Sequence, residues 1–238
     1  MNSLHFLATR TATASSLIAL VCLTLLATQA QGASWTARGN EPGWLLEISD
    51  EAITFTTQEG ETLTIEPVPR PIRAEDIEVY ATSAEGDAFT LVAANKVCSD
   101  AMSGMPHPKT VVVAINGNAF VGCGGEPVSL LVGEWRIEEI AGQPVVAGSE
   151  TSLSFTLDGS INGNASCNRF FGGFTLTGEG LTLSSGGTTM MACAAELGEQ
   201  ESRFLGALEE VSRFESLSDG RLRLLDVNGK AALTARQW

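Results

Sequence analysis

A chain of 238 residues with 28 Asp+Glu against 14 Lys+Arg carries a formal charge of −14. A body this acidic repels phosphate backbones and anionic bilayers, so nucleic acid is excluded as an expected partner. The length allows one large or two small domains beyond any leader.

Residues 1–32 have the plan of a cleavable secretory leader. Arg10 supplies a positive start with no acid before it, Ser15 to Ala27 form an apolar run, and small residues follow at Ala30, Gly32 and Ala33. The run falls short of the roughly 20 apolar residues of a spanning helix and is followed by Gln29 and Gln31, so no stable membrane span is expected after cleavage. Val21 before Cys22 is too bulky for a lipid-attachment motif. The expected location is periplasmic or secreted, with His107 as the sole histidine of the mature chain.

From 33 to 126, alternating β-branched and apolar residues predict strands at Trp44–Ile48, Ile53–Thr57, Leu63–Ile65, Ile77–Tyr80, Ala88–Val92, Thr110–Ile115 and Ala119–Val121. Asn116-Gly117 is a favoured hairpin turn, and Pro67, Pro69 and Pro71 demand an extended segment outside any ladder. Glu126-Pro127-Val128 marks the junction to a second domain at 127–238. There, strands are predicted at Leu130–Ile137, Ser152–Leu157, Phe174–Thr177, Leu181–Leu183, Leu222–Leu225 and Ala231–Thr234. Between them, Phe204, Leu208 and Val211 recur at helical spacing while Glu199, Glu201, Glu209 and Glu210 take the other face, which predicts one amphipathic helix over Leu197–Val211. Each half opens on a Gly and a Trp (Gly43-Trp44; Gly133-Glu134-Trp135). The expected fold class is mainly β: two tandem small antiparallel, lipocalin-like β-barrels, the second with one packed α-helix.

Four cysteines follow the leader: Cys98, Cys123, Cys167 and Cys193. An even count in an exported chain points to two disulfides, and the absence of any CxxC pair argues against zinc. Three pairings are possible. The local one, Cys98–Cys123 with Cys167–Cys193, closes two loops of similar length, each worth roughly 3 kcal/mol by chain entropy.

The run Gly163-Asn164-Ala165-Ser166-Cys167-Asn168-Arg169-Phe170-Phe171-Gly172, then Thr189-Met190-Met191-Ala192-Cys193, then Glu199-Gln200-Glu201 before Phe204-Leu205, resembles the META domain, the HslJ-like family. The resemblance covers Pro127 to the C-terminus. It implies a lipocalin-like barrel with one helix, an envelope or secreted setting, and links to stress and antibiotic tolerance, but no settled activity. The first half, through Arg38-Gly39-Asn40-Glu41-Pro42-Gly43-Trp44, Cys98-Ser99-Asp100 to Pro106, and Gly122-Cys123-Gly124-Gly125, resembles an uncharacterised bacterial envelope family.

Candidate site residues are few. Asn168, Arg169 and Phe170 could form a ligand or partner loop, Arg169 offering a fork to an anionic group, although turn chemistry and packing explain the same residues. Met102, Met105 and His107 are what a Cu(I) site would draw on; with Cys98 oxidised only three soft ligands remain, and no metal is expected. Asn164-Ala165-Ser166 fits a glycosylation sequon that would be silent in a bacterium.

His107 has no Gly-x-Ser-x-Gly elbow to serve, and no phosphate-binding or dinucleotide motif occurs. No catalytic residue and no cofactor is therefore expected. The expectation is a non-enzymatic envelope protein, a stress-related binding or interaction module for an unknown envelope protein or small molecule. The alternatives are a carrier of a small hydrophobic ligand inside one barrel and an inhibitor of a wall-degrading enzyme.

Overall fold

The computed structural model describes residues 34–84 and 86–238. The leader expected at 1–32 lies outside the described residues.

The first half runs β1 (Trp35–Asn40), β2 (Gly43–Ile48), β3 (Ile53–Thr57), β4 (Thr62–Ile65), β5 (Ile72–Ala74), β6 (Ile77–Ala84), β7 (Asp87–Ala94), β8 (Cys98–Ser99), β9 (Pro106–His107), β10 (Lys109–Ile115) and β11 (Asn118–Gly124). These strands build one curled antiparallel sheet in the order β4-β3-β2-β1-β11-β10-β7-β6-β5, with β8 and β9 forming a separate small hairpin. The alternation read from sequence is the pleat itself: Trp44, Leu46 and Ile48 of β2 and Val111 and Val113 of β10 are buried, while their neighbours face outward. Trp44 sits on the second strand of this half, not the first as expected. Gly39 and Gly122 make room for it, because a Cβ at either position would collide with the indole.

A short 3₁₀ turn, Pro127–Leu130, replaces the strand start expected at Leu130, since Pro127 at its first position fixes a turn. The second half then runs β12 (Gly133–Ile140), β13 (Gln143–Pro144), β14 (Ser152–Phe155), β15 (Ser160–Asn164), β16 (Arg169–Thr177), β17 (Gly180–Thr188), α1 (Ala195–Glu209), β18 (Arg213–Ser216), β19 (Arg221–Leu225) and β20 (Ala231–Gln237). The sheet order is β17-β16-β15-β14-β12-β20-β19-β18, with β13 paired to β12. The sheet curls far enough that the Leu181 N–H of β17 reaches the Ser212 carbonyl just before β18, at 2.9 Å. In β12 a bulge between Ile137 and Glu139 resets the alternation, so that Trp135, Ile137 and Ile140 all face the core and Glu139 does not.

Helix α1 begins two residues before its predicted start and lays Phe204, Ala207 and Leu208 into the second core, where Phe204 meets Phe170 edge-on at 5.3 Å. Phe155 and Phe170 fill the interior alongside it, whereas Phe171 points outward and is 63% exposed. One side chain of this core comes from the first half: Met105, on the β8–β9 hairpin, is buried among the hydrophobic residues of the second sheet. No helix among the described residues is long and apolar enough to cross a membrane, which says nothing about strands.

Candidate functional site

Two arrangements of polar side chains stand out: a cleft between the two sheets, and a lock beneath the Cys167-Asn168-Arg169-Phe170 motif.

The cleft, of about 670 Å³, draws on two of the three motifs of the first half. Arg38 and Asn40 come from β1, Asp100, Ser103 and Met105 from the turn between β8 and β9, His107 from β9, and Glu126 from the junction. The opposite wall is formed by second-half residues around Asp158 and the end of β16. Two local devices hold the motifs there. The disulfide Cys98–Cys123 ties β8 to β11. Asp100 then builds the turn that follows, its Oδ1 accepting from the N–H groups of Met102 (3.0 Å) and Ser103 (2.7 Å) and from the Ser103 hydroxyl (2.9 Å), its Oδ2 from Asn40 Nδ2 (3.0 Å). Burial alone would raise the Asp100 pKa, but the hydrogen bonds from Ser103, Asn40 and Met102 outweigh it and hold the carboxyl at about 2.

His107 is buried, and its Nδ1 lies 2.8 Å from the Gly125 carbonyl. A carbonyl only accepts, so Nδ1 carries the proton in this contact, and the residue lines the cleft. Ser, His and Asp therefore share one cleft, yet they are not joined as a relay. Ser103 donates to Asp100 and accepts from the Met105 N–H, and His107 is turned to Gly125. The three residues named for copper face different surroundings: Met102 is 83% exposed, Met105 is packed into the second core, and His107 is committed to Gly125. Among the described residues no group of three or more His, Cys, Asp or Glu could hold a metal ion.

The lock is built from residues far apart in sequence. Asn168 donates its backbone N–H to Glu201 Oε2 at 2.7 Å and its Nδ2 to Glu201 Oε1 at 3.1 Å, so the α1 carboxylate receives both. Asn168 Oδ1 accepts from the Thr189 hydroxyl (2.8 Å) and the Met191 N–H (2.7 Å). One residue earlier on the helix, Gln200 is fully buried. Its Oε1 accepts from the Val146 N–H, and its Nε2 lies 3.0 Å from the hydroxyls of Ser149, Thr151 and Ser166. Two amide hydrogens serve those three hydroxyls, so one is always left to another donor.

The disulfide Cys167–Cys193 closes the same loop. Of the three residues named for a ligand loop, Asn168 is thus consumed internally, Phe170 is core, and Arg169 opens β16 with its side chain exposed. Sequence reading missed Glu201 and Gln200, which it placed on a solvated helix face or left without a role. The available hint was that Glu199-Gln200-Glu201 belongs to the same set of motifs as Asn168.

Comparison with known proteins bears on the second half. No curated protein matches the chain. Among solved structures, a protein from Burkholderia xenovorans determined by NMR is 26% identical over 46% of this chain and 85% of its own, with a TM-score of 0.39. A DUF4847 family protein from Bacteroides vulgatus ATCC 8482 is 14% identical over 47% of this chain and 96% of its own, with a TM-score of 0.37. The lock draws together the three motifs that carry the resemblance, and the family model matches there: the META domain is found at residues 128–237.

Proposed function

We propose that the protein is an exported, non-catalytic binding module of the bacterial envelope, of the class tied to stress and antibiotic tolerance. We place its ligand site in the cleft between the two sheets. The observation that carries this reading is the convergence on that cleft of two separated first-half motifs, Arg38 to Trp44 and Cys98 to Pro106, where Arg38, Asn40, His107 and Glu126 bring donors and acceptors into one lining. Such a mixed, concave lining suits a small polar molecule. The internal commitments of Ser103 and Asp100 favour binding over catalysis, and the two disulfides suit an oxidising compartment. The filling of the second sheet by Phe155, Phe170 and Phe204 favours the cleft over that interior as the place for a ligand.

Native mass spectrometry of the chain purified from its own envelope fraction tests the proposal. A bound small molecule retained by the wild type and by Arg169→Ala, which lies outside the cleft, but lost in Arg38→Ala, supports it. A ligand held equally by Arg38→Ala overturns it.

A further inference from the structure

At one end of the first sheet the β3–β4 and β10–β11 connections and Asp87 at the start of β7 gather around a second concavity, of about 360 Å³. Its apolar lining is Phe55, Leu63, Ile115 and Phe120, and the rings of Phe55 and Phe120 lie 5.0 Å apart and tilted by 56°. Two carboxylates stand at its rim, Glu61 and Asp87. Asp87 accepts from Asn116 Nδ2, a neutral donor, and neither acid has a Lys or Arg partner among the described residues. The surrounding half is itself strongly acidic, with 5 Lys+Arg against 14 Asp+Glu between residues 34 and 126.

We infer that this mouth binds an organic ammonium ion with an aromatic or short apolar body. The chemistry is complementary at both ends. Phe55 is itself buried, so the half-buried Phe120 ring is the one that can accept the edge of another aromatic group and attract a cation to its face. Unpaired carboxylates at the rim are positioned for the ammonium, and the negative field of the half raises the local concentration of cations. A carboxylate or phosphate ligand would meet like charge at the rim. This site shares no residue with the cleft between the sheets, so the two proposals stand or fall separately.

The probes are phenethylammonium, the uncharged phenethyl alcohol and the anionic 3-phenylpropionate, each titrated into the full mature chain and followed by NMR. The expected result is that phenethylammonium shifts the Phe55, Ile115 and Phe120 resonances and binds about tenfold more tightly than the alcohol at low salt, while the anion leaves them unmoved. The double variant Glu61→Gln/Asp87→Asn keeps the side-chain shapes and an acceptor for Asn116. It should lose that tenfold preference while binding the alcohol as the wild type does, which also shows that the mouth is still folded. Equal binding of cation and alcohol by the wild type, or unmoved resonances with the cation, overturns the inference.

Discussion

The carboxylate of Glu201 on α1 receives both the backbone and the side-chain N–H of Asn168, thirty-three residues earlier. This bidentate contact joins the helix to the entrance of β16 and, through Asn168 Oδ1, to the Thr189–Met191 loop. Truncating the Asn168 side chain keeps the backbone N–H on Glu201 Oε2 but takes Nδ2 from Oε1 and leaves the Met191 N–H and the Thr189 hydroxyl without their acceptor, which costs on the order of 1–3 kcal/mol. Asn168→Ala should lower the urea midpoint accordingly. Glu201→Gln keeps one acceptor and should cost less than Glu201→Ala.

Asp100 gives a pH dependence of defined sign. Its folded pKa, about 2, lies below the ordinary 3.8 because the Asn40, Met102 and Ser103 donors favour the carboxylate over the opposing effect of burial. The stability it contributes is therefore fully present above about pH 4 and is lost as pH falls towards 2, by an amount on the order of 1–2 kcal/mol. Urea unfolding at pH 5 and pH 2 measures it. The difference in stability between wild type and Asp100→Asn should shrink across that interval.

Much of the fold was legible because it is local. Alternation located Trp44, Leu46 and Ile48 on one face of a strand, and the spacing of Phe204 and Leu208 located the helix. Where local chemistry was ambiguous the reading failed. Ser160–Asn164 has only Ile161 to signal a strand among Asn and Gly residues, and β15 was missed. Phe170 and Phe171 are indistinguishable in composition, and only the pleat of β16 decides that one is core and the other exposed. The lock was legible only as shared motif membership, and the inter-sheet cleft was not legible at all. The contacts that join their parts link residues 21 to 60 positions apart, as Asn168 with Thr189 and Asn40 with Asp100, and such pairs leave no periodic trace.

Both disulfides follow the local pairing, closing loops with separations of 25 and 26 residues. Non-reducing peptide mapping should recover Cys98–Cys123 and Cys167–Cys193 peptides and no crossed pair. Cys167→Ser/Cys193→Ser should lose about 3 kcal/mol. It should also loosen the 189–194 loop, read as faster amide exchange at Met191, even though Asn168 still holds that N–H.

Met105 predicts coupling between the halves. It belongs to the first half by sequence and to the second core by burial, at 8% exposure. Met105→Ala should cost about 2–3 kcal/mol, and Met105→Leu less than about 1.5. Calorimetry should show the loss in the unfolding of the META domain, although the altered residue lies outside it.

The same methionine changes what it would mean to treat residues 128–237 as a portable part. Cut free, that segment would lose the Met105 side chain from among the apolar residues of its core. In this chain the β8–β9 hairpin, tied to β11 by Cys98–Cys123, supplies that side chain.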